Sequence, residues 1–156
     1  MNFIDASLAP LKNTGQIKIH TEADFDGMRM VGRMAAQTLD LLSDFVKPGV
    51  STDFLDQKAV EIIRDLGAVP APLNYRGFTK SICTSINHVV CHGIPGDKLL
   101  REGDIMNVDV TLFHEGWHGD HSRMYALGKS SVKAQRLMDA TYDALMQGIA
   151  AVKPGA

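Results

Sequence analysis

Asp109 and Asp120 both stand where a carboxylate is out of place, in the stretch Asn107-Val-Asp-Val-Thr-Leu-Phe-His-Glu-Gly-Trp-His-Gly-Asp-His-Ser-Arg-Met-Tyr125. The first part of this stretch alternates as a strand. Met106, Val108, Val110 and Leu112 point one way, and Asn107, Asp109, Thr111 and Phe113 the other, because strand side chains have a period of two. The apolar row needs a core. The other row carries Asp109 in the middle of a strong strand former, where aspartate is normally depleted. A return strand brings Asp120. A two-residue His114-Glu115 turn would set the two aspartates directly opposite each other. A Glu115-Gly116 turn has the better turn chemistry and would set Asp109 opposite Ser122, with Asp120 diagonal on the same face. In either register two carboxylates share a face, and such a pair must share a proton or a cation.

Other chemistry-bearing residues crowd nearby. His118 falls on the face of Asp120 and could join a cation there, whereas His114 and His121 read as surface residues. His92 follows Cys91; without further context it reads as a core histidine rather than a ligand. Cys83 and Cys91 are too few for a disulfide framework and read as free thiols. The eight methionines read as core filler.

The elements that position these residues follow from periodicity. Residues 1–20 form an N-terminal arm punctuated by Pro10 and Gly15, with Gln16–His20 as a short edge strand. Thr21 caps a first helix with Asp24 as its capping-box partner; its stripe is Met28, Val31, Ala35, Leu39, Leu42 and Phe45. Thr52 caps a second helix, with Leu55, Ala59, Ile62, Ile63 and Leu66 inward. Asp53 and Asp56 in its first turn and Arg64 in its last suit the helix dipole. Residues 69–79 are loop-like and hold Tyr75 and Phe78. Ser81–Ile86 and Val89–His92 read as short strands. Ser131 caps a third helix with Leu137, Ala140, Thr141, Ala144, Leu145 and Ile149 on one side.

That third helix runs into Val152-Lys-Pro-Gly-Ala156, as the first runs into Val46-Lys-Pro-Gly-Val50. The repeat suggests two similar halves, of which this chain supplies one and the opening helix of the next. Ending at Ala156 therefore reads as truncation. The expected organisation is an arm over 1–20, a first half with the carboxylate hairpin over 21–128, and the opening helix of a second half over 129–156. The fold class is α+β.

Composition narrows the function. The 156 residues are 45% hydrophobic and 22% charged, ordinary for one globular domain. A formal net charge of −2 leaves no basic footprint for nucleic acid or an anionic membrane. No apolar run is long enough to span a bilayer, and the first residues lack the pattern of a secretory signal. The expected setting is cytoplasmic.

Three segments carry a resemblance to a known family. Ser85-Ile-Asn-His-Val-Val-Cys-His-Gly-Ile-Pro95, Gly103-Asp-Ile-Met-Asn-Val-Asp-Val-Thr111 and Gly116-Trp-His-Gly-Asp-His-Ser-Arg-Met-Tyr125 resemble, in order and spacing, the signatures of type I methionine aminopeptidases, members of the M24 metallopeptidases. The likeness runs from about Ile17 to the last residue. It implies the pita-bread fold, two pseudo-symmetric halves around a dinuclear metal cleft, with the first half and the first helix of the second present here. It implies two divalent ions (cobalt, manganese, iron or zinc). Asp109 would be a bidentate ligand and Asp120 a bridge between the ions. His92 would donate a hydrogen bond to substrate or tetrahedral intermediate. Tyr75, Phe78 and Cys83 would line the methionine side-chain pocket. The implied activity is hydrolytic removal of the initiator Met when the next residue is small. Its partner would be the nascent-peptide N-terminus, at the ribosome, with no direct nucleic acid or membrane.

The family also needs a His and two Glu from its second half, beyond Ala156. It usually has an acid at His88, commonly Cys at Pro72 and Tyr at Phe78. Three other readings compete: an Xaa-Pro peptidase of the same fold, a non-catalytic pita-bread binding module, and an inactive fragment that needs a partner chain. The carboxylates argue against the binding module.

Overall fold

A computed structural model describes residues 2–5 and 15–156. Pro10 and most of the N-terminal arm lie outside the described residues. Strand β1 (Asn2–Asp5) pairs in parallel with β2 (Gln16–Ile19). Helix α1 (Glu22–Leu42) follows and ends in a 3₁₀ turn, Ser43–Phe45. Then come α2 (Thr52–Asp65), the short β3 (Val69–Pro70), a 3₁₀ turn at Tyr75–Gly77, β4 (Cys83–Ile86), β5 (Ile105–His114), β6 (Trp117–Ala126) and α3 (Val132–Ala151).

β5 is the centre of an antiparallel sheet. β6 runs along one edge of it, while β4 and β3 take successive stretches of the other. Its apolar row, Met106, Val108, Val110 and Leu112, is fully buried beneath the helices. α1 lies across β5 and β6 on this face. Gly119 lets it come that close, because a Cβ there would overlap the carbonyl oxygen of Val31. At the other end the Tyr125 hydroxyl donates to the Leu39 carbonyl at 2.8 Å, and Arg123 pairs with Asp40 at 2.7 Å. Val31, Ala35, Leu39 and Leu42 from α1 and Leu55, Ala59 and Ile63 from α2 complete the core. Among the described residues no helix covers the sheet's opposite face, and there the polar row of β5 is left partly accessible.

The helix starts hold with one change. Asp24 accepts from both the N–H and the hydroxyl of Thr21, as expected for that cap. The cap of α2 is Ser51, not Thr52: the Ser51 hydroxyl accepts from the Phe54 N–H at 3.2 Å. Thr52 is already helical and buried, and its hydroxyl both donates to and accepts from the backbone of Gly96. Met28, expected in the buried stripe, is 48% exposed. It is outside the stretch of α1, from Val31 to Leu42, that covers the sheet.

Two further expectations change. Val89–His92 is not a strand. Asn87 takes a left-handed conformation (φ 55°) in a tight turn, and the chain then rejoins β4 only at Gly93, whose carbonyl accepts from the Thr84 N–H at 2.8 Å. The hairpin takes the Glu115-Gly116 turn, not His114-Glu115. Both turn residues have positive φ (47° and 90°), the geometry whose twist matches a hairpin. Asp109 is therefore opposite Ser122, and Asp120 opposite Thr111.

Candidate metal-binding cleft

The uncovered face of the sheet forms the floor of a cleft of about 920 Å³. All six residues singled out from the sequence line it: Tyr75, Phe78, Cys83, His92, Asp109 and Asp120. His118 lines it as well, with its ring 5.0 Å from that of Phe113. His121 is exposed, and His114 turns away to hydrogen-bond the Gly67 carbonyl at 3.0 Å.

Strand parity explains the floor. Cys83 of β4 pairs with Asp109, and Asp120 is one step along the same face of β6. Asp109 is half-buried, and its Oδ1 is sealed from solvent with no hydrogen-bond partner. A buried carboxylate oxygen without a donor is costly. Burial, and next the negative charge of Asp120, push the Asp109 carboxyl above its usual range, with His92 working in the opposite direction. Two carboxylates on one face, one with an orphaned oxygen, match the hard oxygen donors that divalent cations take. No group of three or more His, Cys, Asp or Glu side chains converges to hold a metal among the described residues. These residues fit part of a metal site, the carboxylate part.

Beside the aspartates lies a thiol. Burial, followed by the charge of Asp109, pushes Cys83 up to about 11. It therefore stays a neutral, polarisable group at ordinary pH, suited to contact with a thioether. Cys91, in contrast, is exposed, and neither cysteine is in a disulfide.

His92 reaches the cleft by a strained route. Its φ is 54°, a left-handed conformation that costs a non-glycine residue energy. Gly93 fixes it there: a Cβ at Gly93 would overlap the Thr84 carbonyl, and the Gly93 N–H donates to the Ser85 hydroxyl at 3.1 Å. Tyr75 and Phe78 come from the loop before β4. That loop closes on itself, with the Asn74 N–H donating to the Phe78 carbonyl at 2.8 Å. Its exit is pinned to α2. Asp56 accepts from the N–H groups of Ser81 and Ile82 at 2.7 and 3.1 Å, and Lys80 pairs with Asp53. Asp56 is thus a buried anchor of the site wall rather than only a partner of the helix dipole. Arg76, Thr79, Ile94 and Thr111 also line the cleft and were not singled out from the sequence. The run Tyr75-Arg76-Gly77-Phe78 and the parity of Thr111 with Asp109 were the available signals.

The metallopeptidase family M24 matches residues 26–156. The chain belongs to that family. The M24 match agrees with the resemblance drawn from the three motifs. A methionine aminopeptidase of Rickettsia prowazekii is 59% identical over 140 residues, 90% of this chain and 54% of that protein. The crystal structure of a methionine aminopeptidase from the same species superposes with a TM-score of 0.88 at 58% identity, covering 90% of this chain and 56% of that one. An Xaa-Pro dipeptidase from Bacillus anthracis shares the fold, with a TM-score of 0.74 at 19% identity over 90% of this chain and 41% of its own. The M24 chain therefore has the pita-bread fold in part, and it spans about half the length of the curated relatives it matches. Membership implies use of divalent metal. No helix among the described residues is long and apolar enough to cross a membrane.

Proposed function

We propose that this chain is the carboxylate-bearing half of a methionine aminopeptidase, which hydrolyses the bond after an N-terminal Met when a small residue follows. The observation that carries the reading is the placement of Asp109, with its orphaned oxygen, next to Asp120 and Cys83 on one cleft floor. Asp109 and Asp120 would hold divalent metal: two ions, of manganese, iron, cobalt or zinc, once the remaining ligands are supplied. The bound metal would activate water as the nucleophile and polarise the peptide carbonyl.

The chain's own residues do the rest. Cys83, Phe78 and Tyr75 take the Met side chain and exclude water from it. His92, held by Gly93, donates a hydrogen bond to the oxyanion that develops on the carbonyl. The peptide would be a nascent chain at the ribosome, in the cytoplasm.

Among the described residues no further ligands converge on Asp109 and Asp120, so the 156-residue chain by itself should bind Met peptides without turning them over efficiently. Nuclear magnetic resonance of the Mn²⁺-free chain tests the pocket. Met-Ala-Ser should shift the amide signals around Phe78 and Cys83, and Gly-Pro-Ser should not. Equal shifts with both peptides would contradict the assignment to Met. Release of Met by this chain with Mn²⁺ or Co²⁺ at about 1 s⁻¹ or more, an ordinary enzymatic rate, would contradict the need for further metal ligands.

A further inference from the structure

The acids of the cleft lie on its floor, but its mouth carries a cation. Arg76 is exposed on the 71–79 loop and lines the cleft with Tyr75 and Ile94, which are 63% and 65% exposed. Its guanidinium lies 5.3 Å from the centre of the Tyr75 ring, in reach of a cation–π attraction. No carboxylate among the described residues pairs with it, whereas Lys80, a few residues on, is held by Asp53. The two cations of the loop therefore differ. Lys80 ties the loop to α2, and Arg76 is left facing the entrance. The backbone at Arg76 is left-handed (φ 49°), a conformation that glycine or asparagine would adopt at lower cost.

We propose that Arg76 selects substrates by charge, receiving an acidic side chain at the third residue of the peptide. The inference rests on the aminopeptidase reading, which puts the peptide's first residue against Cys83 and Asp109. An extended chain advances about 3.3 Å per residue. The third residue is then about 7 Å farther out, moving from the floor toward the mouth. A guanidinium there, already ordered by the Tyr75 ring and not committed to another carboxylate, favours Asp or Glu over Lys or Arg. The floor of the cleft thus holds the first residue, and its rim meets the segment that follows.

The test uses the full chain with Mn²⁺ and C-terminally amidated Met-Ala-Asp-Ser, Met-Ala-Ser-Ser and Met-Ala-Lys-Ser. Dissociation constants are measured at low and high salt by isothermal titration. At low salt the Asp peptide should bind about three- to tenfold more tightly than the Lys peptide, as expected of one or two exposed charge contacts. The ratio should fall toward one at high salt and in Arg76→Asn, which keeps a residue tolerant of the left-handed backbone. It should invert in Arg76→Glu, a gain of preference that misfolding cannot imitate. An unchanged ratio in these variants overturns the assignment of Arg76. If Met-Ala-Ser-Ser binds the wild-type chain and the charge ratio is flat, only the Arg76 proposal falls. If no peptide binds, the aminopeptidase reading fails and takes the proposal with it.

Discussion

α1 and α3 are both long amphipathic helices with a hydroxyl residue at their start and a Lys-Pro-Gly turn at their end. The turns share a hydrogen bond: the Val50 N–H donates to Lys47 at 3.2 Å, and the Ala156 N–H to Lys153 at 3.1 Å. Yet α1 fully buries Val31, Ala35, Leu39 and Leu42, while no residue of α3 is buried. Leu137, Tyr142, Leu145 and Ile149 are all more than half exposed. The helical code is the same; the difference is that α1 has the β5–β6 hairpin beneath it. An apolar stripe specifies a face, and only a partner surface turns that face into a core.

Substitution of matched leucines should show the contrast most strongly. Leu39→Ala removes a fully buried side chain and should cost about 3 kcal/mol. Leu145→Ala, on the exposed stripe of α3, should fall within about 0.5 kcal/mol of wild type. Urea unfolding of the two variants measures both, and equal losses would mean that α3 is packed against something in solution.

Glycine substitutions sharpen the same comparison. Gly119→Ala drives a methyl group into the Val31 carbonyl under α1 and should destabilise by about 1–3 kcal/mol. Gly148→Ala in α3 meets nothing within 4 Å and should stabilise the helix by up to about 1 kcal/mol. Thermal melts with opposite shifts are the expected outcome.

The two cysteines differ in a smaller but clean way. Iodoacetamide at pH 8 should label exposed Cys91 and spare Cys83, whose thiol is buried and pushed up to about 11. Mass spectrometry of the labelled peptides gives the order, and faster labelling of Cys83 would contradict its burial.

The smallest effect concerns acid. The hydrogen bond from Lys80 holds the Asp53 carboxyl below its ordinary 3.8. A group with a lowered folded-state value stabilises the protein above its unfolded value and loses that contribution as pH falls through the folded one. Asp53→Asn should therefore weaken the wild-type chain slightly at neutral pH and converge with it below pH 3.8. Melting curves over the acid range test the sign.

Much of the site could be read from the sequence because strand parity is local. Asp109 and Asp120 share a face in either register of the hairpin, and the apolar row of β5 had to face the helices. The register was less certain, since two turns were compatible with the hairpin. The left-handed pair at Glu115-Gly116 decides it and moves Asp120 from directly opposite Asp109 to a diagonal position. The loop residues were the least legible. His92 looks like part of a strand in the sequence, but the close approach of Gly93 to Thr84 bends the chain away, and that contact is set by tertiary packing. Asp56 likewise acquires its acceptor role only when α2 meets the segment at Ser81 and Ile82.

The central claim is that Asp109 and Asp120 form the carboxylate part of a divalent-metal site. Electron paramagnetic resonance of free Mn²⁺ titrated with the 156-residue chain tests it most directly. The account predicts weak binding that is lost in both Asp109→Asn and Asp120→Asn, while Asp97→Asn, outside the cleft, leaves it in place. Undiminished Mn²⁺ binding in the two cleft variants would contradict it.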